Sequence, residues 1–160
     1  MSHSRYLIAL LCICSLAYGQ DVKHDEKLRR VLEKTEYKVT AEANGMFSLV
    51  IEIPSLKRSQ RVYVNSEILD FQGYRYREIW SIALQGEALA KPEVYPFLLK
   101  DSADKYIGAW KVMRVSKQDS AVFFACVPEY AKDKDVVIAL SVVAATADQA
   151  EKKILSTDQY

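Results

Sequence analysis

Side chains able to attack, move protons or hold a metal are few in this sequence, and their spacing is poor. Three cysteines and two histidines occur in the chain: Cys12, Cys14, Cys126, His3 and His24. A cysteine nucleophile needs a base or cation beside it to lower its pKa. Cys126 lies in the apolar run FFACVPEY (123–130), and the nearest histidine in sequence, His24, is about a hundred positions earlier, in a charged stretch. A structural zinc site wants three or four Cys or His ligands, a number this chain does not supply once the first residues are set aside. Hydrolysis by two carboxylates would need them opposed across a cleft with separated pKa values. Neither Asp101 with Asp104 nor Glu129 beside Tyr130 has a spacing that demonstrates this. Gly45, Gly73, Gly86 and Gly108 stand alone, so no glycine-rich phosphate loop is present. The sequence therefore assigns no catalytic residue, no cofactor and no metal, and the expectation is a protein that is not an enzyme. Cys126 is expected to be a buried space-filler in line with Val122 and Phe124, since unpaired cysteine packs like a small hydrophobe.

One segment has the residue types of a binding surface. In GYRYREIW, Tyr74 and Tyr76 alternate with Arg75 and Arg77, and interleaved cations and aromatics can stack on rings or pair with anions. The plainer reading is that Gly73 makes a turn, the tyrosines anchor it and Trp80 packs in the core. Tyr74, Arg75, Tyr76 and Arg77 are kept as the candidate surface, for an anionic or glycan ligand or for a protein.

The first residues, MSHSRYLIALLCICSLAYGQD, read as a signal peptide covering residues 1–19: Arg5, an apolar run from Tyr6 to Leu16, and small residues at Ala17 and Gly19. The apolar run is about half the roughly 20 residues that a spanning helix needs. Lipid attachment is not expected, because Cys12 follows Leu11 and Cys14 follows Ile13. Cleavage would remove Arg5 and no acid, taking the formal net charge from +1 to zero. That balance argues against nucleic acid and against an acidic membrane surface. With one cysteine remaining there is no disulfide framework, and residues 20–160 are expected to form one domain held by its core. The expected location is outside the cytoplasm, periplasmic or secreted, with no stable membrane anchor after cleavage.

The elements that must carry these residues follow from periodicity. DEKLRRVLEKTE predicts a short amphipathic helix capped by Asp25, with Leu28, Val31 and Leu32 on its stripe. YKVTAEA and MFSLVIEI flank Asn44-Gly45, a two-residue hairpin signal of type I′. RVYVNSEILDF predicts a third strand, and YREIWSIALQGEAL, with Ile79, Trp80, Ala83 and Leu84 at helical spacing, predicts a helix. PFLLKDSAD predicts a further short helix. YIGAWKVMRVS and SAVFFACVP predict a hairpin joined at Lys117-Gln118-Asp119, and DKDVVIALSVVAATADQAEKKIL a long final helix. The order is α-β-β-β-α-α-β-β-α, an α+β fold with an antiparallel sheet of about five strands and helices packed against it. In Ala121–Val127 both faces of the strand are apolar, so one face suits the helices and the other wants the N-terminal helix or another chain.

This order, with GAWKV opening a late hairpin, AVFFACVP closing it and ATADQAEKKI in the last helix, resembles the YbjN-like family, which has the fold of type III secretion chaperones. The likeness runs from about Phe47 to Leu155. It implies a binding or scaffolding module, commonly a dimer, with no catalytic residues to carry over. The secretion chaperones work in the cytoplasm, whereas this chain carries an export signal. The functional expectation is protein–protein interaction or chaperone-like binding in the cell envelope, with a second copy or another protein as partner. The alternative is a small-molecule or glycan binder of cystatin-like build, with its pocket between a curved sheet and a helix.

Overall fold

A computed structural model describes residues 23–54 and 57–155; the expected signal peptide lies outside them. The elements are α1 (Glu26–Glu33), β1 (Val39–Ala41), β2 (Phe47–Ile53), β3 (Arg58–Val64), β4 (Leu69–Phe71) and β5 (Tyr74–Gln85). They are followed by α2 (Val94–Ala103), β6 (Ala109–Val115), β7 (Gln118–Pro128) and α3 (Asp133–Leu155), with a 3₁₀ turn at Gly86–Ala90 after β5. Seven strands form one sheet in the order β1-β2-β3-β5-β7-β6, with β4 paired to β5. Every pairing is antiparallel. The fold is α+β, with more strands than the sequence suggested. No helix among the described residues is long and apolar enough to cross a membrane.

The main correction lies at Tyr74–Gln85, a twelve-residue strand where a helix was expected. It sits between β3 and β7, and nearly every residue from Arg77 to Leu84 is buried. A strand covered on both faces loses its alternation, and Ile79, Trp80, Ala83 and Leu84 then imitate a helical stripe. A shift of register between Ile82 and Leu84 adds to the disguise, since an extra residue breaks the two-residue period. The expected third strand also divides, into β3 and β4 with a turn between.

Local chemistry explains the turns. After β1 the chain reverses through a hydrogen bond from Gly45 N to Glu42 O and one from Glu42 N to Met46 O. Gly45 has φ +85° and Asn44 is not left-handed. This is a three-residue loop with glycine in the left-handed position, and not the two-residue type I′ turn expected. The type I′ geometry appears instead between β6 and β7, where Ser116 and Lys117 both have positive φ. Gly108 is required at the start of β6, because a Cβ there would lie 2.4 Å from the Phe124 carbonyl oxygen.

Both α1 and α3 lie on one face of the sheet. Leu28 and Leu32 of α1 and Val136, Leu140, Val143 and Ala144 of α3 pack with Phe47, Leu49, Val62, Ile79, Phe123 and Ala125. Each fully buried large apolar side chain contributes roughly 1.5–3 kcal/mol, and this cluster is the main core. A second cluster at the far end joins Val94 and Leu98 of α2 to Leu84, Ala121, Ala147 and Ala150. Along α3, Val136, Leu140, Val143, Ala147 and Ala150, at helical spacing, are buried. β7 lies inside the sheet between β5 and β6. Its fully buried phenylalanine is Phe123, whereas Phe124 is on the helix-free face and only partly covered.

Candidate interaction surface

The four residues of the GYRYREIW segment divide between the two faces of β5. Tyr76 is opposite Pro128, Glu78 opposite Cys126, Trp80 opposite Phe124 and Ile82 opposite Val122. Directly opposed residues share a face, so all of these, with Tyr74, stand on the side away from α1 and α3. Arg75 and Arg77 point the other way. Arg77, nearly buried, donates to Asp25 Oδ2 at 2.8 Å, and Asp25 is the cap of α1, accepting from Lys27 N and Leu28 N. Burial alone would raise the Asp25 pKa. The hydrogen bond from Arg77, the backbone N–H groups and the guanidinium charge outweigh it and hold the carboxyl below its ordinary value. Arg77 is thus committed to fastening α1 to the sheet, and Arg75 pairs with Glu129 at 2.9 Å. The structure brings the tyrosines together, ring centroids 5.8 Å apart, and sends both arginines to structural partners.

β4 and β5 are closed by Phe71 opposite Tyr74, around Gln72 and Gly73, both with positive φ. Phe71 is 67% exposed and Tyr74 47%. Leu69 and Phe71 pair with Tyr76 and Tyr74, so the tip of the hairpin presents an aromatic cluster on the helix-free face.

Deeper along this face the side chains roof one another. Trp80, Ile82 and Val122 are buried beneath Met46, Tyr63, Met113, Val115 and Phe124. Tyr63 stacks on Trp80 at 4.4 Å, and Trp80 Nε1 donates to Asn65 Oδ1 at 3.2 Å. Lys111 lies over the Phe124 ring at 4.4 Å and pairs with Glu78 at 2.7 Å. The second apolar face is therefore covered by its own long side chains, and α1 is not its cover.

Cys126 corrects the sequence reading. It is in line with Val122 and Phe124, as expected, yet exposed. Neither helix reaches this face, and the roof described above ends before Cys126. Burial of part of the thiol, then the charge of Glu78, pushes its pKa up, with Lys111 opposing. A thiol held above its ordinary pKa is a poor nucleophile at neutral pH.

Two features escaped the sequence reading. On α3, Asp148 and Glu151 are fully buried, and the Arg58 guanidinium lies against both: its Nε bridges to Asp148 Oδ1 and its Nη2 lies 3.3 Å from Glu151 Oε2. Charged residues inside a helical stripe read as solvated, so nothing marked them. The second is a run of exposed apolar side chains on α2 and the following loop: Tyr95, Leu99, Tyr106 and Ile107. Tyr95 and Leu99, four apart on a helix, form an outward stripe that sequence alone cannot tell from an inward one.

An open cleft of about 1110 Å³ lies beside the start of α1 and is lined by residues including His24, Asp25, Asn44, Asn65, Ser66 and Arg75. Compared with known proteins, the chain matches no family model, no curated protein and no solved structure.

Proposed function

We propose that this chain is an exported, non-catalytic binding or scaffolding module that works by protein–protein contact in the cell envelope, in a chaperone-like way. The observation carrying this reading is the β4–β5 hairpin, whose Phe71 and Tyr74 stand in solvent on the helix-free face while Arg75 and Arg77 are tied to Glu129 and Asp25. Exposed aromatic side chains on a fixed β-hairpin give large contact area at low entropic cost, as in known interface anchors. The hairpin is held in place by the central strand β5, so the anchors are preorganised. The resemblance to the YbjN-like family supports the same reading. Export rests on the Arg5, apolar-run and Ala17/Gly19 pattern. A small-molecule or glycan ligand would find room in the cleft beside α1, since core side chains occupy the space between β2 and α3.

The test places a photocrosslinking amino acid at Tyr74 in cells that make the protein, with Glu36 as the comparison site. The expected result is one discrete adduct from position 74, absent from position 36 and lost on Phe71→Asp. No adduct from position 74, or an adduct insensitive to Phe71→Asp, would overturn the reading.

A further inference from the structure

We infer that β6 is a self-pairing edge, joining a second copy of the chain strand to strand and continuing the sheet across a two-fold axis. The inference is separate from the hairpin surface, which lies on β4 and β5. β6 ends the sheet on its side. Its two edges can be told apart by one hydrogen bond: Trp110 N donates to Ser102 Oγ of α2 at 3.1 Å, so the Trp110 amide points away from β7. Backbone direction alternates along an antiparallel strand. Lys111, Met113 and Val115 therefore bond β7, and Val112 and Arg114 offer their N–H and C=O groups outward. Among the described residues no hydrogen bond meets those groups from the outer side.

Exposed edges are normally blunted by proline, a bulge, or a lysine guarding the rim. β6 has seven residues, no proline and an unbroken register with β7. Its Lys111 is drawn over Phe124 and onto Glu78. Val112, in the middle of the edge, is 46% exposed.

Charge and capping select the register of such a pairing. In a symmetric antiparallel pairing, an axis at Lys111 or Arg114 sets like charges opposite each other. An axis at Val112 demands the Trp110 amide, which Ser102 already holds. An axis at Met113 meets neither objection. It places Met113 of the two copies face to face, Val112 of each opposite Arg114 of the other, and Lys111 opposite Val115. The strand supplies on the order of 250 Å² on each copy, short of the ~800 Å² of a standard interface. The exposed side chains of Tyr95, Leu99, Tyr106 and Ile107 lie on the helix and loop that meet β6 at Trp110, and their contact with the second copy would supply the remainder.

The test measures mass by light scattering across a concentration series of the purified chain, and of Val112→Pro. Proline at that position removes only an outward N–H and leaves the β7 ladder intact. A two-chain mass is expected for the unaltered protein, with association weakened at least tenfold by Val112→Pro while the circular dichroism spectrum is unchanged. In a Cys126→Ser background, Met113→Cys should cross-link under a mild oxidant, the two thiols losing two protons and two electrons to it. Opposed residues in that position have Cα atoms about 4.5 Å apart, inside disulfide range. Val112→Cys should not cross-link, because the two copies of that residue are offset along the strands. A single-chain mass at all concentrations overturns the inference. So does a dimer unaffected by Val112→Pro, or one that cross-links through position 112 and not 113.

Discussion

Cys126 shows how two residues in line on one strand can have different fates. Val122 is fully buried under Phe124, Met113 and Val115, while Cys126, four residues on, has only Glu78 across from it and Lys111 nearby. Thiol reactivity depends on access and on the thiolate fraction, and here the two act against each other. The expected outcome is complete labelling of the folded protein by a maleimide without denaturant, slow near neutral pH and faster as pH rises. Glu78→Gln removes the negative charge that helps to keep the thiol protonated, so it should speed labelling several-fold near neutral pH and leave the denatured rate unchanged. Labelling that appears only in denaturant would show that the face is covered around Cys126.

At the scale of elements, α1 is a short helix tied to β5 by one ion pair. Its eight residues are too few to be stable alone, so it depends on Leu28, Leu32 and the bond between Asp25 and Arg77. The Asp25 pKa is lowered on folding. Its contribution is therefore fully present above the ordinary carboxyl value of 3.8 and is lost as pH falls through the lower folded value. Asp25→Asn keeps a capping side chain but leaves the nearly buried Arg77 without its carboxylate, which should cost about 1–3 kcal/mol near neutral pH. The difference between urea melts of the two proteins should begin to shrink as pH falls below about 4 and vanish only below the lowered folded value; a difference that persists in strong acid would separate the effect from the ion pair. The sequence made α1 and α3 legible because each has one apolar stripe and one wet face, with Asp25 standing at a cap position. β5 was illegible because burial on both faces erased its period, so Ile79, Trp80, Ala83 and Leu84 fitted a helix equally well. For the candidate surface, the sequence showed the types of Tyr74 to Arg77 but not their facing, because a strand sends alternate residues to opposite faces and Tyr76 and Arg77 read as the start of a helix. The β6 edge left no sequence signal, since it depends on which amides Ser102 and β7 occupy.

Over the whole molecule, coverage is one-sided: helices on one face of the sheet, self-roofed side chains on the other, and an open edge at β6. The two layers are joined mainly by apolar packing; besides the Arg77–Asp25 pair that fastens α1, a charged tie forms at the end where Arg58 of β3 meets Asp148 and Glu151 of α3. Such a tie is expensive to form, because both carboxylates are fully buried. The same burial makes it intolerant of losing one member, since an uncompensated buried charge costs several kcal/mol while a well-packed apolar replacement of the whole set can be neutral. Arg58→Met should therefore destabilise the protein by roughly 3–5 kcal/mol, read as a lower urea midpoint with an unchanged slope. Replacing the three together, with Arg58→Met, Asp148→Leu and Glu151→Leu, should recover most of that loss. If Arg58→Met costs less than about 1 kcal/mol, within the range of exposed ion pairs, the two carboxylates are not held in the interior by Arg58. If the triple replacement is as unstable as the single one, the ends of β3 and α3 need polar contact for their packing, and the charges there set the geometry of the layers as well as their stability.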